Sequence, residues 1–354
     1  MIRTYLPVKD ASIYGEFPWK NTGHDEILEF GKSTDGDTAV RSLIQFDIAS
    51  ISASLASGEL AASSSFELKL WVARADDIQI GQSIELMMVT GSWVEGSGYF
   101  YQNTNINVTS SRAPTAGYVE SDGTTWISRS SGTLWTTSGS DVIVSSGTLS
   151  QSVADPVVPL VFDVTSFVSK WVSGSQNAGM VIKFPDVDEL NLSYTGNMRC
   201  FSRQTHTIYA PILQAKWAAQ TYITGTMELA DLSTVLITPA NVAKKYTSGD
   251  MARVQLSVRE QYPLKTFADV YTSYLGNQRL PTTSYFSIID AQSNAVLIPF
   301  ENASRISCDG TGSYFDFYVE GMYPGRIYKI VIKTTDSQFT RHFDLGHNFQ
   351  IEQI

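Results

Sequence analysis

Four histidines, His24, His206, His342 and His347, are the first residues to test for chemistry. Imidazole is both a metal ligand and a general base near neutral pH. None stands in a metal-binding spacing such as HExxH. His342 and His347, with Asp344 between them, would make a two-histidine, one-carboxylate set. Exposed turn and strand-edge positions explain the pair more simply. The many serines include none in a GxSxG elbow, and no glycine-rich phosphate loop leads into a helix. Glycoside hydrolysis needs two carboxylates facing each other across a cleft. Glu95 and Asp163 lie in well-formed local motifs, but Asp163 is accounted for as a helix cap. With each constellation missing, the chain reads as a non-enzyme.

Two kinds of binding chemistry stay open. Asp35 and Asp37, and then Asp186 and Asp188, sit in oxygen-rich stretches of the kind that hold a structural Ca²⁺. Neither has the spaced ligand set of an EF-hand, and Asp-Gly is also an ordinary turn. No cofactor is expected beyond such an ion. Sugar rings stack their apolar faces on exposed aromatic platforms. Tyr14, Trp19, Tyr99, Tyr101, Trp126 and Trp135 fall in predicted loops and are the candidate carbohydrate-binding residues. Loops or a neighbouring subunit could equally cover these rings.

The elements that must position these residues are strands. The chain has 354 residues, 43% hydrophobic and only 17% charged, which suits two folded domains rather than disorder. Residues 66–72 alternate, with Phe66, Leu68, Leu70 and Val72 on one face and Trp71 on the other. Residues 41–47, 84–89, 179–184 and 211–217 read as further strands. Residues 91–160, rich in Ser, Thr and Gly, read as long loops carrying short strands. One helix is predicted after Asp163, its stripe formed by Val164, Phe167, Val168, Trp171 and Val172 and its end set by Gly174. Alternation returns in residues 253–260, 314–320, 328–333 and 349–354.

A formal net charge of −10 without any Lys/Arg run argues against a nucleic-acid partner. No segment approaches the apolar length of a membrane span. No basic region followed by an apolar core opens the chain, so no secretory leader is expected. Cys200 and Cys308, placed in different domains, read as two reduced thiols.

Residues 1–217 resemble the DNRLRE family, related to the carbohydrate-binding modules of family 96. The resemblance is carried in order by Asp10-Ala11-Ser12-Ile13, Asn21-Thr22-Gly23, Arg41-Ser42-Leu43-Ile44-Gln45-Phe46-Asp47 and Ser92-Trp93-Val94-Glu95-Gly96. It continues through Gly123-Thr124-Thr125-Trp126, Trp135, Asp163-Val164-Thr165 with Trp171, Asn177-Ala178-Gly179 and Phe201-Ser202-Arg203. It implies a galactose-binding-like jelly roll acting as a non-catalytic binding or stalk module. Residues 218–354 resemble a domain of tailed-phage structural proteins. The marks there include Val258-Arg259-Glu260-Gln261-Tyr262-Pro263-Leu264-Lys265-Thr266-Phe267 and Gly321-Met322-Tyr323-Pro324-Gly325-Arg326.

The expected fold is therefore all-β: a jelly-roll sandwich with one short helix over residues 1–217, then a smaller β-sandwich over residues 218–354. The expected function is that of a bacteriophage virion structural protein at the neck or collar, along the tail, or as a capsid decoration. It would fold in the host cytoplasm and join other virion proteins, as a homo-oligomer in a symmetric ring or lattice. Host surface polysaccharide is a further expected contact. The alternative is a carbohydrate-binding module of a cell-surface or polysaccharide-degrading system.

Overall fold

Strict alternation in Met251–Glu260 places Val254, Leu256 and Val258 inside and leaves Met251, Arg253 and Gln255 in water. That period of two is what a half-buried strand requires. The computed structural model describes residues 1–33, 36–100, 123–263 and 278–352. It is mostly β, and it divides into two units. One comprises Tyr5–Leu60 and Ser65–Gln214; the other comprises Ala215–Ile354 with Met1–Thr4 and Ala61–Ser64. The four opening residues, expected in the first domain, thus belong with the C-terminal unit.

The C-terminal unit is a two-sheet sandwich. One sheet has the order Val235–Pro239, Met251–Glu260, Ser313–Tyr318, Ser307–Cys308. The other runs Lys245–Thr247, Thr340–Glu352, Ile327–Thr335, Ser284–Asp290, Val296–Ile298. Phe315 from the first sheet stacks on Phe286 from the second at 4.3 Å between centroids. Tyr328, Ile330, Ile332 and Phe349 complete the interior. Each such ring or branched chain removed from water contributes roughly 2–3 kcal/mol.

In the N-terminal unit an eight-stranded antiparallel sheet has the order Leu149–Ser152, Ser83–Met88, Met180–Lys183, Ala39–Phe46, Ile27–Lys32, Asn197–Phe201, Val72–Asp76, with Pro7–Tyr14 also paired to Ala39–Phe46. A second sheet includes Ile212–Lys216, Ser65–Leu70 and Leu160–Asp163 in that order. The alternating run expected over residues 66–72 breaks at Trp71. Ser65–Leu70 lies in one sheet and Val72–Asp76 in the other, so the chain turns the corner of the sandwich there. The large sheet is buried on both faces. Ile84, Leu86 and Met88 point one way, while Met87 and Val89 point the other into a separate apolar cluster with Trp93 and Trp135.

The single predicted helix is one of three helices among the described residues: α1 (Ile48–Ser57), α2 (Thr165–Val172) and α3 (Asp186–Glu189). In α2 the predicted stripe of Phe167, Val168 and Trp171 is buried, and Val172 is exposed instead. The Asp163 carboxylate accepts the Thr165 N–H, and Thr165 Oγ1 accepts the Phe66 N–H at 2.8 Å, which ties the helix to its neighbouring strand. Helix α1 escaped notice because only Ile48, Ile51 and Ser54 are buried in a serine-rich run. Its punctuation is nonetheless clear: Asp47 accepts the Ala49 N–H, and Gly58 closes the helix at φ 80°. No helix among the described residues is long and apolar enough to cross a membrane. Cys200 and Cys308 are buried, unpaired thiols in different units.

Candidate functional site

On Ile27–Lys32 the side chains of Leu28 and Phe30 enter the core, and Ile27 and Glu29 alternate away from it. Glu29 is paired in register with Arg199 of Asn197–Phe201. Arg199 Nε and Nη2 donate to Glu29 Oε1 at 3.2 and 3.1 Å. The other carboxylate oxygen accepts from the Tyr14 hydroxyl at 3.0 Å. This Tyr14–Glu29–Arg199 line forms the floor of a cleft of about 370 Å³, also lined by Glu16, Phe17, Asp25, Glu26 and Phe100. That volume lies within the range of small-ligand sites.

The walls combine aromatic rings with carboxylates. Tyr14 and Phe100 lie 4.8 Å apart between centroids, and Phe17 meets Phe100 edge-on at 5.7 Å. The Lys20 ammonium stands over both phenyl rings, 3.9 Å from Phe100 and 4.6 Å from Phe17. The Phe100 N–H donates to both Asp25 oxygens, at 3.1 and 3.2 Å. Burial pushes the Asp25 carboxyl up to about 6; the Phe100 N–H and Lys20 oppose the rise, and Glu29 adds to it. Burial, with Glu29 and Asp25 beside it, pushes the Tyr14 phenol well above its ordinary range, so it stays a hydrogen-bond donor. Such a cleft can stack a ring, accept many hydrogen bonds and attract a cation.

Of the five described aromatic residues expected to stack sugar, Tyr14 alone lines this cleft, and it is nearly covered. Trp19 is half-buried in the turn where the Lys20 N–H donates to Phe17 O. Tyr99 is exposed and meets His24 edge-on at 5.6 Å. Trp126 is half-buried beneath the Arg41 guanidinium. Trp135 is 5% exposed with its indole N–H donating to Thr125 O at 3.0 Å, so it is core and not a platform. Tyr101 lies outside the described residues. Asp25, Glu29, Phe100 and Arg199 went unnoticed in the sequence. A glutamate interrupting the apolar run Ile-Leu-Glu-Phe was the one available signal, and its partner is 170 residues away.

Two other charged groups are tied up structurally. The Glu189 carboxylate takes two hydrogen bonds from Arg41, at 2.6 and 3.1 Å, and lies 3.7 Å from Lys183 Nζ. Lys183 also donates to Asp186, and the buried Lys32 donates to Glu189 O at 2.6 Å. Among the calcium candidates, Asp186 thus serves Lys183, and Asp188 accepts from Gln82 at 2.7 Å. Asp37 is exposed and Asp35 lies outside the described residues. No group of three or more His, Cys, Asp or Glu gathers as a metal site among the described residues. Asp10, 1% exposed, accepts the Arg203 N–H at 2.7 Å, while Arg203 Nη1 donates to both Glu95 oxygens. Gly23 allows the 91–98 loop to close here, since a Cβ would lie 2.2 Å from Glu95 O.

No protein-family model and no curated protein sequence matches the chain. Among solved structures it is similar to the apo β-glucuronidase 3 of Bacteroides uniformis at 8% identity and a TM-score of 0.19, over 88% of this chain and 27% of that one. It is also similar to the β-glucuronidase of Parabacteroides merdae at 8% identity and a TM-score of 0.16, over 96% of this chain and 30% of that one. The chain spans less than a third of the length of either enzyme, and the likeness is too slight to bear on function. The resemblances drawn from the sequence rest on their motifs alone.

Proposed function

We propose that this chain is a non-enzymatic structural protein of a bacteriophage particle, acting through contacts between copies arranged head to tail in a ring or lattice. One surface supports this most directly. In the N-terminal unit three loops are tied together: Gly81 N–H donates to Val153 O, Gln82 Nε2 to Asp188, and Thr195 Oγ1 to Asp77. Together they carry Ile80, Val157, Val158, Val187, Leu190 and Leu192, exposed by 83, 79, 54, 75, 79 and 69%. Aliphatic side chains open to this degree expose on the order of 100 Å² each, so the six approach the roughly 800 Å² per partner of a standard interface. The same loops carry the exposed Asp77 and Asp155, while Asp76 and Asp186 are paired with Arg74 and Lys183. Like charges would repel if it met itself across a two-fold axis, which favours a different face of the next copy. Two unpaired buried thiols accord with folding in a reducing cytoplasm.

Leu190→Asp with Val187→Asp should abolish self-association, measured by light scattering on the full chain, with secondary structure unchanged. Cryo-electron microscopy of particles should place copies in symmetric contact through this patch. Unchanged association in the double variant, or particles without the chain, would sink the proposal. The cleft between Phe17 and Glu29 favours the second reading, a carbohydrate-binding module on a cell surface or in a polysaccharide-degrading system.

A further inference from the structure

We infer that the cleft over Tyr14, Glu29 and Arg199 binds a hexosamine unit with a free amino group, and that Lys20 occupies the ammonium position in its absence. The site lies within the N-terminal unit and is independent of the assembly proposal.

Charge sets the sign of the ligand. Glu16, Asp25, Glu26 and Glu29 line the cleft, and among the described residues Arg199 is the one cation in that lining. Arg199 is already held by Glu29 and lies 3.7 Å from Asp76. A field of this sign, focused by apolar walls, draws cations and repels acidic sugars. The rings point the same way. Phe17 and Phe100 hold an ammonium between them, and such contacts strengthen as water is removed. Here the ammonium belongs to the chain's own Lys20, at the end of a flexible stem that a competing cation can displace.

Hydrogen-bond capacity then separates a sugar from a basic peptide. Carboxylates dominate the described lining: Glu16, Asp25, Glu26 and Glu29 stand against the Arg199 guanidinium and the Tyr14 and Ser33 hydroxyls, each of which can donate. A lysine side chain offers one donor cluster and a greasy stem. An amino sugar offers an ammonium for the rings and hydroxyls for the carboxylates, in a body that a cleft of about 370 Å³ accommodates.

The dependence on pH follows from Asp25. Its neighbours are Lys20, Glu29, Tyr14 and the Phe100 N–H, with Glu26 lining the same cleft and facing His206 at 3.6 Å. Asp25 carries its proton below about pH 6, so affinity should fall as pH drops through that value.

Isothermal titration of the full chain at about pH 7 with glucosamine, N-acetylglucosamine and glucose oligomers, and with an oligolysine peptide, tests the inference. The glucosamine oligomer should bind at least tenfold more tightly than the acetylated and neutral sugars. Lys20→Met should tighten it several-fold by vacating the rings, and Asp25→Asn should weaken it about tenfold with the circular dichroism spectrum unchanged. Lys20→Met leaves every carboxylate in place, so the test survives a poorly folded Asp25 variant. Equal binding of free and acetylated sugars, binding of none, or preference for oligolysine would each overturn the assignment.

Discussion

The two units bury their charge very differently. Among the described residues, Asp10, Lys32, Lys183 and Glu189 are buried in the N-terminal unit, whereas Asp290 is the one buried Asp, Glu, Lys or Arg side chain of the C-terminal unit. The C-terminal sandwich is built from alternating strands whose inner faces meet as Phe286 on Phe315 and Phe317 beside Phe349. The N-terminal sheet is buried on both faces, one of them under loops, and loops bring backbone carbonyls and charged side chains inside with them. Charges buried this way must be paired, and pairing fixes the loops in one arrangement. The cleft exists because such loops stand over the Glu29–Arg199 pair.

Removing packing should cost most in the C-terminal unit. Phe315→Ala deletes a ring stacked between sheets and should destabilise that unit by about 3–5 kcal/mol. Hydrogen exchange in Met251–Glu260 reads the loss. Trp217, buried beside Tyr318 and the one tryptophan of that unit, gives a second readout against the signal of the six others. A cost below about 1 kcal/mol would mean that the sandwich is not held by this stack.

Removing charge should cost most in the N-terminal unit. Glu189→Ala leaves Arg41 without its carboxylate and Lys183 with only the exposed Asp186, and should cost about 3 kcal/mol. Urea unfolding followed by tryptophan fluorescence measures it, since six of the seven tryptophans lie in this unit. A loss of a few tenths would mean that the knot is ornamental and the contrast between the units is one of composition only.

The same contrast explains what could be read from sequence. Residues 253–260 and 314–320 alternate cleanly; the first lies wholly in a strand, the second is a strand as far as Tyr318, and both have the expected inner faces. The α2 stripe is legible because Phe167, Val168 and Trp171 are large and periodic. Helix α1 is not, because serine and alanine fill most of its turns. The cleft was hidden for a different reason. Glu29 looks like any charge on a strand until Arg199 is placed beside it, and that pairing depends on the register of strands distant in sequence. Trp135 looks like a loop aromatic, and only the Thr125 carbonyl accepting its N–H reveals it as core. Local periodicity speaks for elements; sites assembled by loops depend on contacts that periodicity does not encode.

A finer test uses pH. Burial raises the Asp10 carboxyl from 3.8 to about 8, against the opposing Arg203 N–H, with Glu95 adding to the rise. The native state therefore keeps this proton up to about pH 8, while the unfolded chain releases it near its ordinary value. Between those limits the folded protein binds more protons, so stability falls as pH rises, by at most about 1.4 kcal/mol per unit from this group. Asp10→Asn keeps an oxygen to accept the Arg203 N–H and has no proton to lose. It should match the native chain below pH 3.8, where both states of Asp10 hold the proton, and become progressively more stable than it toward pH 8, in urea unfolding followed by tryptophan fluorescence. Taking the difference between the two chains cancels the parallel titration of Asp25, which is present in both. Parallel stability curves across that range would mean that Asp10 is ionised when folded. The Asp10–Glu95–Arg203 cluster would then carry one more negative charge, and the loop closure around Gly23 would rest on Arg203 balancing two carboxylates instead of one.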